Sequence, residues 1–138
     1  MRRGRPPKDT ITPDLFNWTP PKVTVGFEPN AIQGDRLSSR ISRAVAKALK
    51  DCGKSRQEIA TAMSERLGHT VTTATLDAYA SEAKTDNNIT VERFAALIHG
   101  TGQTELLGFL AEHFDLKVVP AKYENVITLA LIKDHKEV

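Results

Sequence analysis

Apolar side chains recur every three or four positions through most of the chain, and polar or glycine breaks divide them into separate runs. From Asp35 to Asp51, Leu37, Ile41, Val45 and Leu49 stand four apart with Ala44 and Ala48 between them, the spacing of one helical face. Cys52-Gly53-Lys54 ends that run. Ser55 and Glu58 then form an S-x-x-E capping box that starts a second helix, Arg56 to Leu67. Its Ile59, Met63 and Leu67 share a face, and Gly68 supplies the left-handed residue that closes it. Thr72 to Thr75 offers an N-cap to a third helix carrying Leu76, Tyr79 and Ala80. After a polar loop from Lys84 to Asn88, Thr90 caps a fourth helix with Val91, Phe94, Leu97 and Ile98, closed by Gly100 and Gly102. A fifth, from Gln103 to Phe114, carries Leu106, Leu107, Leu110 and Ala111. Leu116 to Val119 fits a brief strand or an extended exit before Pro120. Val126, Ile127, Leu129, Ala130 and Ile132 fit a last helix, although their β-branched members leave a strand open. The predicted fold is all-α, a small helical bundle containing a helix-turn-helix, preceded by an extended N-terminal tail.

Proline and glycine set the domain boundaries. Pro13, Pro20, Pro21 and Pro29 with Gly26 and Gly34 bar any long element from residues 9–34, apart from a short extended piece at Val23 to Phe27. Leu15, Phe16 and Trp18 are unusual for a solvated spacer, and suit packing back onto the domain or docking into a partner's groove. The chain divides into a basic tail and linker (1–34), a helix-turn-helix domain (35–120) and a C-terminal oligomerisation element (121–138). A chain of 138 residues with 40% apolar content supports one compact domain plus a tail.

Charge changes the picture more than composition does. The net +2 is distributed unevenly: residues 1–54 hold 11 Lys/Arg against 5 Asp/Glu, and residues 55–138 hold 8 against 12. Positive charge gathers at the front, where a polyanion would be met. Within the first helix, Arg36, Arg40, Arg43, Lys47 and Lys50 recur at three or four, forming a basic stripe beside the apolar one. Like charges so placed repel, so the stripe points to phosphate contacts, with Lys54 just beyond it; a solvated face is the plainer reading. In the tail, Arg3-Gly4-Arg5-Pro6 resembles the core of an AT-hook, flanked by Arg2 and Lys8. Gly4 lets the backbone approach a groove floor, Pro6 extends Arg5, and narrow A·T-rich minor grooves attract arginine. The plainer reading is a basic segment that adheres to any polyanion.

The second and third helices carry the site argument further. Small Ala60 and Ala62 and a glycine-containing connector allow the close approach that a helix-turn-helix requires. Thr73, Thr75 and Asp77 would then be the side chains nearest a major groove. The third helix is poor in the Arg, Asn and Gln that read base edges, which favours a positioning role. An ordinary helical hairpin is the competing reading.

The order Ile59-Ala60, Leu67-Gly68, Thr75-Leu76, Ile89-Thr90, Ile98, Thr101-Gly102 and Leu106-Leu107 resembles the CII-like regulatory proteins of temperate and transposable, Mu-like phages, over residues 55–120. The resemblance implies an all-helical DNA-binding transcriptional regulator from a bacteriophage or related mobile element. Its expected partners are double-stranded, A·T-rich DNA and further copies of itself. A self-assembling interaction module with nonspecific DNA affinity is the second expectation.

Enzyme chemistry is not expected. His69, His99, His113 and His135 lack the spacing of metal ligands, and Gly100 and Gly102 punctuate helices without forming a phosphate loop after a strand. No cofactor, metal or small-molecule substrate is implied. One cysteine, Cys52, excludes an internal disulfide, and no apolar run has the length of a membrane span or the form of a signal peptide. A cytoplasmic location in a bacterial host is the corresponding expectation.

Overall fold

The computed structural model describes residues 23–83 and 87–136, and beyond Ile132 the backbone only. The described residues form six α-helices: α1 (Leu37–Asp51), α2 (Arg56–Leu67), α3 (Thr73–Tyr79), α4 (Val91–Thr101), α5 (Glu105–Glu112) and α6 (Glu124–Lys136). A 3₁₀ turn, Ala121–Tyr123, leads into α6. The architecture is the predicted small all-helical bundle, and the terminal segment left open between helix and strand is helical.

Local chemistry explains the boundaries. Ser55 Oγ accepts the Glu58 amide at 3.1 Å, Thr72 Oγ1 that of Thr75 at 3.2 Å, and Thr90 Oγ1 that of Arg93 at 3.2 Å. Each cap satisfies one of the amides that a helix start leaves without a partner. Gly68 ends α2 at φ +79°, a conformation that costs glycine little, and its amide returns to Ser64 O at 2.9 Å.

The core is built where these faces meet. Ala44, Val45, Ala48 and Leu49 of α1 bury against Ile59, Ala60 and Met63 of α2, Leu76 and Tyr79 of α3, Ala96 and Leu97 of α4, and Leu106 and Phe109 of α5. The most extensive pairing is α2 on α4, whose close approach uses the small Ala62 and Gly100. Thr101 is a buried polar residue, and its hydroxyl donates to Leu97 O at 2.8 Å and accepts from the Gln103 amide at 3.1 Å.

The segment before α1 belongs to the packed unit. Val25 N–H donates to Val118 O at 2.8 Å in an isolated antiparallel bridge, and Phe27 and Ile32 pack against the core. The extended pieces predicted at 23–27 and 116–119 are therefore the two sides of this bridge, and packing begins before the boundary that composition placed after residue 34. Gly108 makes the crossing possible: a Cβ there would lie 1.8 Å from Val25 O and 2.8 Å from Gly26 Cα.

By contrast, among the described residues α6 packs on little. Every residue from Glu124 to Ile132 is exposed, and its main packing is on the 3₁₀ turn that precedes it.

Candidate nucleic-acid interface

The cations of α1 fall on one side of the helix, but most of them are engaged within the protein. Arg40 turns toward α5, where its Nη1 donates to His113 Nε2 at 2.9 Å and its guanidinium lies 5.7 Å from the centroid of the Phe109 ring. His113 Nδ1 lies 3.2 Å from Phe109 O, so a ring that donates there and accepts from Arg40 satisfies both contacts. Arg43 pairs with Glu82 just beyond α3 and also donates to Gln33 O. The Glu82 hydrogen bond, and then its charge, raise the Arg43 pKa above an already high value, so Arg43 stays cationic. Lys47 reaches Asp51 at 3.0 Å along the same helix. Arg36 and Lys50 are exposed, with no side-chain partner among the described residues. Lys54 donates to Gly100 O at 3.0 Å and so ties the α1–α2 connection to the end of α4.

The five-cation stripe is thus a mixture. Two members, Arg36 and Lys50, are exposed cations with no side-chain partner among the described residues. Arg43 and Lys47 are held by exposed carboxylates, pairs of a kind that contribute little to stability and can yield to a polyanion. Arg40 is a structural cation, held by stacking and a hydrogen bond.

Around α3 the side chains are also occupied. Thr72 and Thr75 hydroxyls lie 2.9 Å apart within the cap, and Asp77 Oδ1 is 3.3 Å from Arg56 Nε at the start of α2. Thr73 is half-buried, whereas Ala74 and Asp77 are exposed. Opposite them, Leu76 and Tyr79 are buried, so α3 has one packed face and one surface face made of small side chains. The turn before α3 is stapled by Ser64, whose Oγ donates to Ala60 O at 2.7 Å and accepts from the buried Val71 amide at 2.8 Å.

Arg2, Arg3, Gly4, Arg5, Pro6 and Lys8 lie outside the described residues, as do Leu15, Phe16 and Trp18. Among the described residues no group of His, Cys, Asp and Glu is arranged to hold a metal ion, and no helix is long and apolar enough to cross a membrane.

Two further arginines make contacts that spacing along the chain does not reveal. Arg66 reaches His99 Nε2 at 3.0 Å, and Arg93 lies 2.7 Å from Tyr79 Oη and 3.4 Å from His69 Nε2. The one advance sign of the Arg40 site was the four-residue spacing of Phe109 and His113, which places both rings on one side of α5.

Fold and site together define a small all-helical bundle with a partly neutralised cationic helix beside a short, surface-facing one. No family model, characterised protein or solved structure matches the chain.

Proposed function

We propose that the protein is a self-associating DNA-binding regulator in which α2 and α3 act as a helix-turn-helix. The observation that carries this reading is the surface of α3, a helix that packs beside α1: Leu76 and Tyr79 anchor it, and the opposite side offers only small or short polar groups. Small side chains let a helix backbone come close to a groove. Arg36 and Lys50, joined by Arg43 and Lys47 when their carboxylates release, would contact phosphate, and the Arg3-Gly4-Arg5-Pro6 tail would lie in an A·T-rich minor groove. Sequence readout by α3 would be weak, because Thr75 and Asp77 already have partners.

A second reading has its own support. The internal pairing of Arg40, Arg43 and Lys47, together with an apolar α6 that lacks cover, favours an assembly module with nonspecific DNA affinity. A nuclease footprint of the full chain on the DNA flanking its own coding sequence separates the two. A bounded footprint that persists as salt rises supports the regulator. Uniform protection that disappears with salt supports the module.

A further inference from the structure

The surface face of α3 has no long hydrogen-bond donor of its own, but the fold brings one to it. Arg56, the first residue of α2, reaches across to Asp77 of α3, with Nε 3.3 Å from Oδ1. Asp77 is exposed and stands one helical turn after Thr73 and Ala74, so the guanidinium paired with it is held at that same face.

Stability does not account for this placement. The two side chains are 42% and 62% exposed, and ion pairs so open to water contribute little. Arg56 Nη1 is enclosed without a hydrogen-bond partner, the one side-chain nitrogen or oxygen so placed among the described residues. A donor kept from water with no acceptor is a net cost, one that a partner from outside the chain would remove. Arg40, Arg43, Arg66 and Arg93 differ, since each donates from its Nη1 to an acceptor within the chain.

The pair also restricts the chemistry of that partner. Arg56 and Asp77 together carry no net charge, and the carboxylate repels phosphate, so the DNA backbone gains little from them. The planar end of a guanidinium suits two acceptors side by side, the pattern that guanine O6 and N7 present in the major groove. With Nε held by Asp77, the Nη1–Nη2 end is left for this contact, and a small turn about Nε frees Nη1 to make it. We propose, resting on the DNA-binding reading above, that Arg56 is the base-reading residue of the helix-turn-helix, that it recognises a guanine, and that Asp77 is its positioning residue. The start of α2 thus supplies the donor that α3 lacks.

Selection of binding sites from a pool of randomised duplexes by the full chain, Arg56→Lys and Asp77→Asn tests the proposal, with thermal unfolding to check folding and salt titrations on the unselected pool. The full chain should enrich a guanine at one fixed position of the site. Arg56→Lys keeps the charge and loses the planar fork, so preference for that guanine should fall about tenfold while affinity for the pool and its salt dependence stay unchanged. Asp77→Asn frees the guanidinium and removes a negative charge, so it should weaken the same preference while raising affinity for the pool, a combination that a merely structural pair would not give. An Arg56→Lys chain that keeps the guanine, or that loses affinity equally on every duplex, would overturn base reading by Arg56. Changes confined to the melting temperature would do the same. A full chain that binds duplex but enriches no guanine would overturn the proposal and leave the DNA-binding reading standing, and a full chain that binds no duplex would overturn both.

Discussion

Replacing Gly108 with alanine should detach the 23–27 segment from α5. The added Cβ would lie 1.8 Å from Val25 O, 2.6 Å from Val25 C and 2.8 Å from Gly26 Cα. These neighbours are backbone atoms, which have no rotamer to change. Comfortable contacts are about 3.5 Å, so the segment must lift by more than 1 Å, roughly the whole well of its packing. Three contributions are then at risk. The Val25–Val118 hydrogen bond is worth about 1 kcal/mol net. The edge-on contact of Phe27 with Phe109, centroids 6.5 Å apart, adds about 1 kcal/mol. Exposing the half-buried Phe27 side chain costs about 1.5 kcal/mol more. Against these, alanine gains about 1 kcal/mol over glycine within a helix. The net loss is about 2 to 3 kcal/mol, or a fall in melting temperature of roughly 10 °C for a domain of this size. Thermal unfolding followed by circular dichroism measures the total, and hydrogen exchange at the Val25 amide reports whether the loss is local. A melting temperature unchanged or raised, with Val25 still protected, would refute this account of the crossing.

Other changes test the remaining contacts. Ser64→Ala should destabilise by about 1 to 3 kcal/mol in urea unfolding, because it leaves the buried Val71 amide without its acceptor; a loss under about 0.5 kcal/mol would contradict the staple. Glu82→Gln should release Arg43, leaving the melting temperature nearly unchanged because the pair is exposed, while strengthening duplex binding several-fold and steepening its salt dependence by about one. Unchanged binding would remove Arg43 from the interface. Arg5→Lys keeps the charge of the tail but replaces a planar guanidinium with a compact ammonium, so discrimination between A·T-rich and G·C-rich duplexes should fall. Full retention of that discrimination would mean that the tail acts as charge alone.

The parts of the fold that were legible in the sequence are those decided within a few residues. The ends of α2 follow from Ser55 and Gly68, and the start of α4 follows from Thr90, because a cap or a left-handed residue acts on its own turn. The packing of the 23–27 segment was hidden, since its prolines and glycines read as linker and its anchor, Gly108, lies on the far side of the domain in sequence. Site residues were harder for the same reason. Spacing correctly gathered Arg40, Arg43 and Lys47 on one helix, but their partners, His113 on α5, Glu82 beyond α3 and Asp51 at the helix end, decide what each can do. Two of those three partners are distant in sequence. In α6, the side-chain pattern fitted helix and strand alike because its β-branched Val126, Ile127 and Ile132 suit both.

The claim that this domain binds DNA is tested most directly by the fluorescence anisotropy of a labelled duplex titrated with the full chain at stepped salt concentrations. Arg36, Lys50 and the four cations of the tail give about six phosphate contacts per protomer before any release of Arg43 or Lys47, so log K against log[salt] should be a line of slope about −5. Arg36→Ala with Lys50→Ala should flatten that slope by about two. An affinity that does not change with salt, or no binding even at about 50 mM salt where counterion release favours the complex most, would contradict the account.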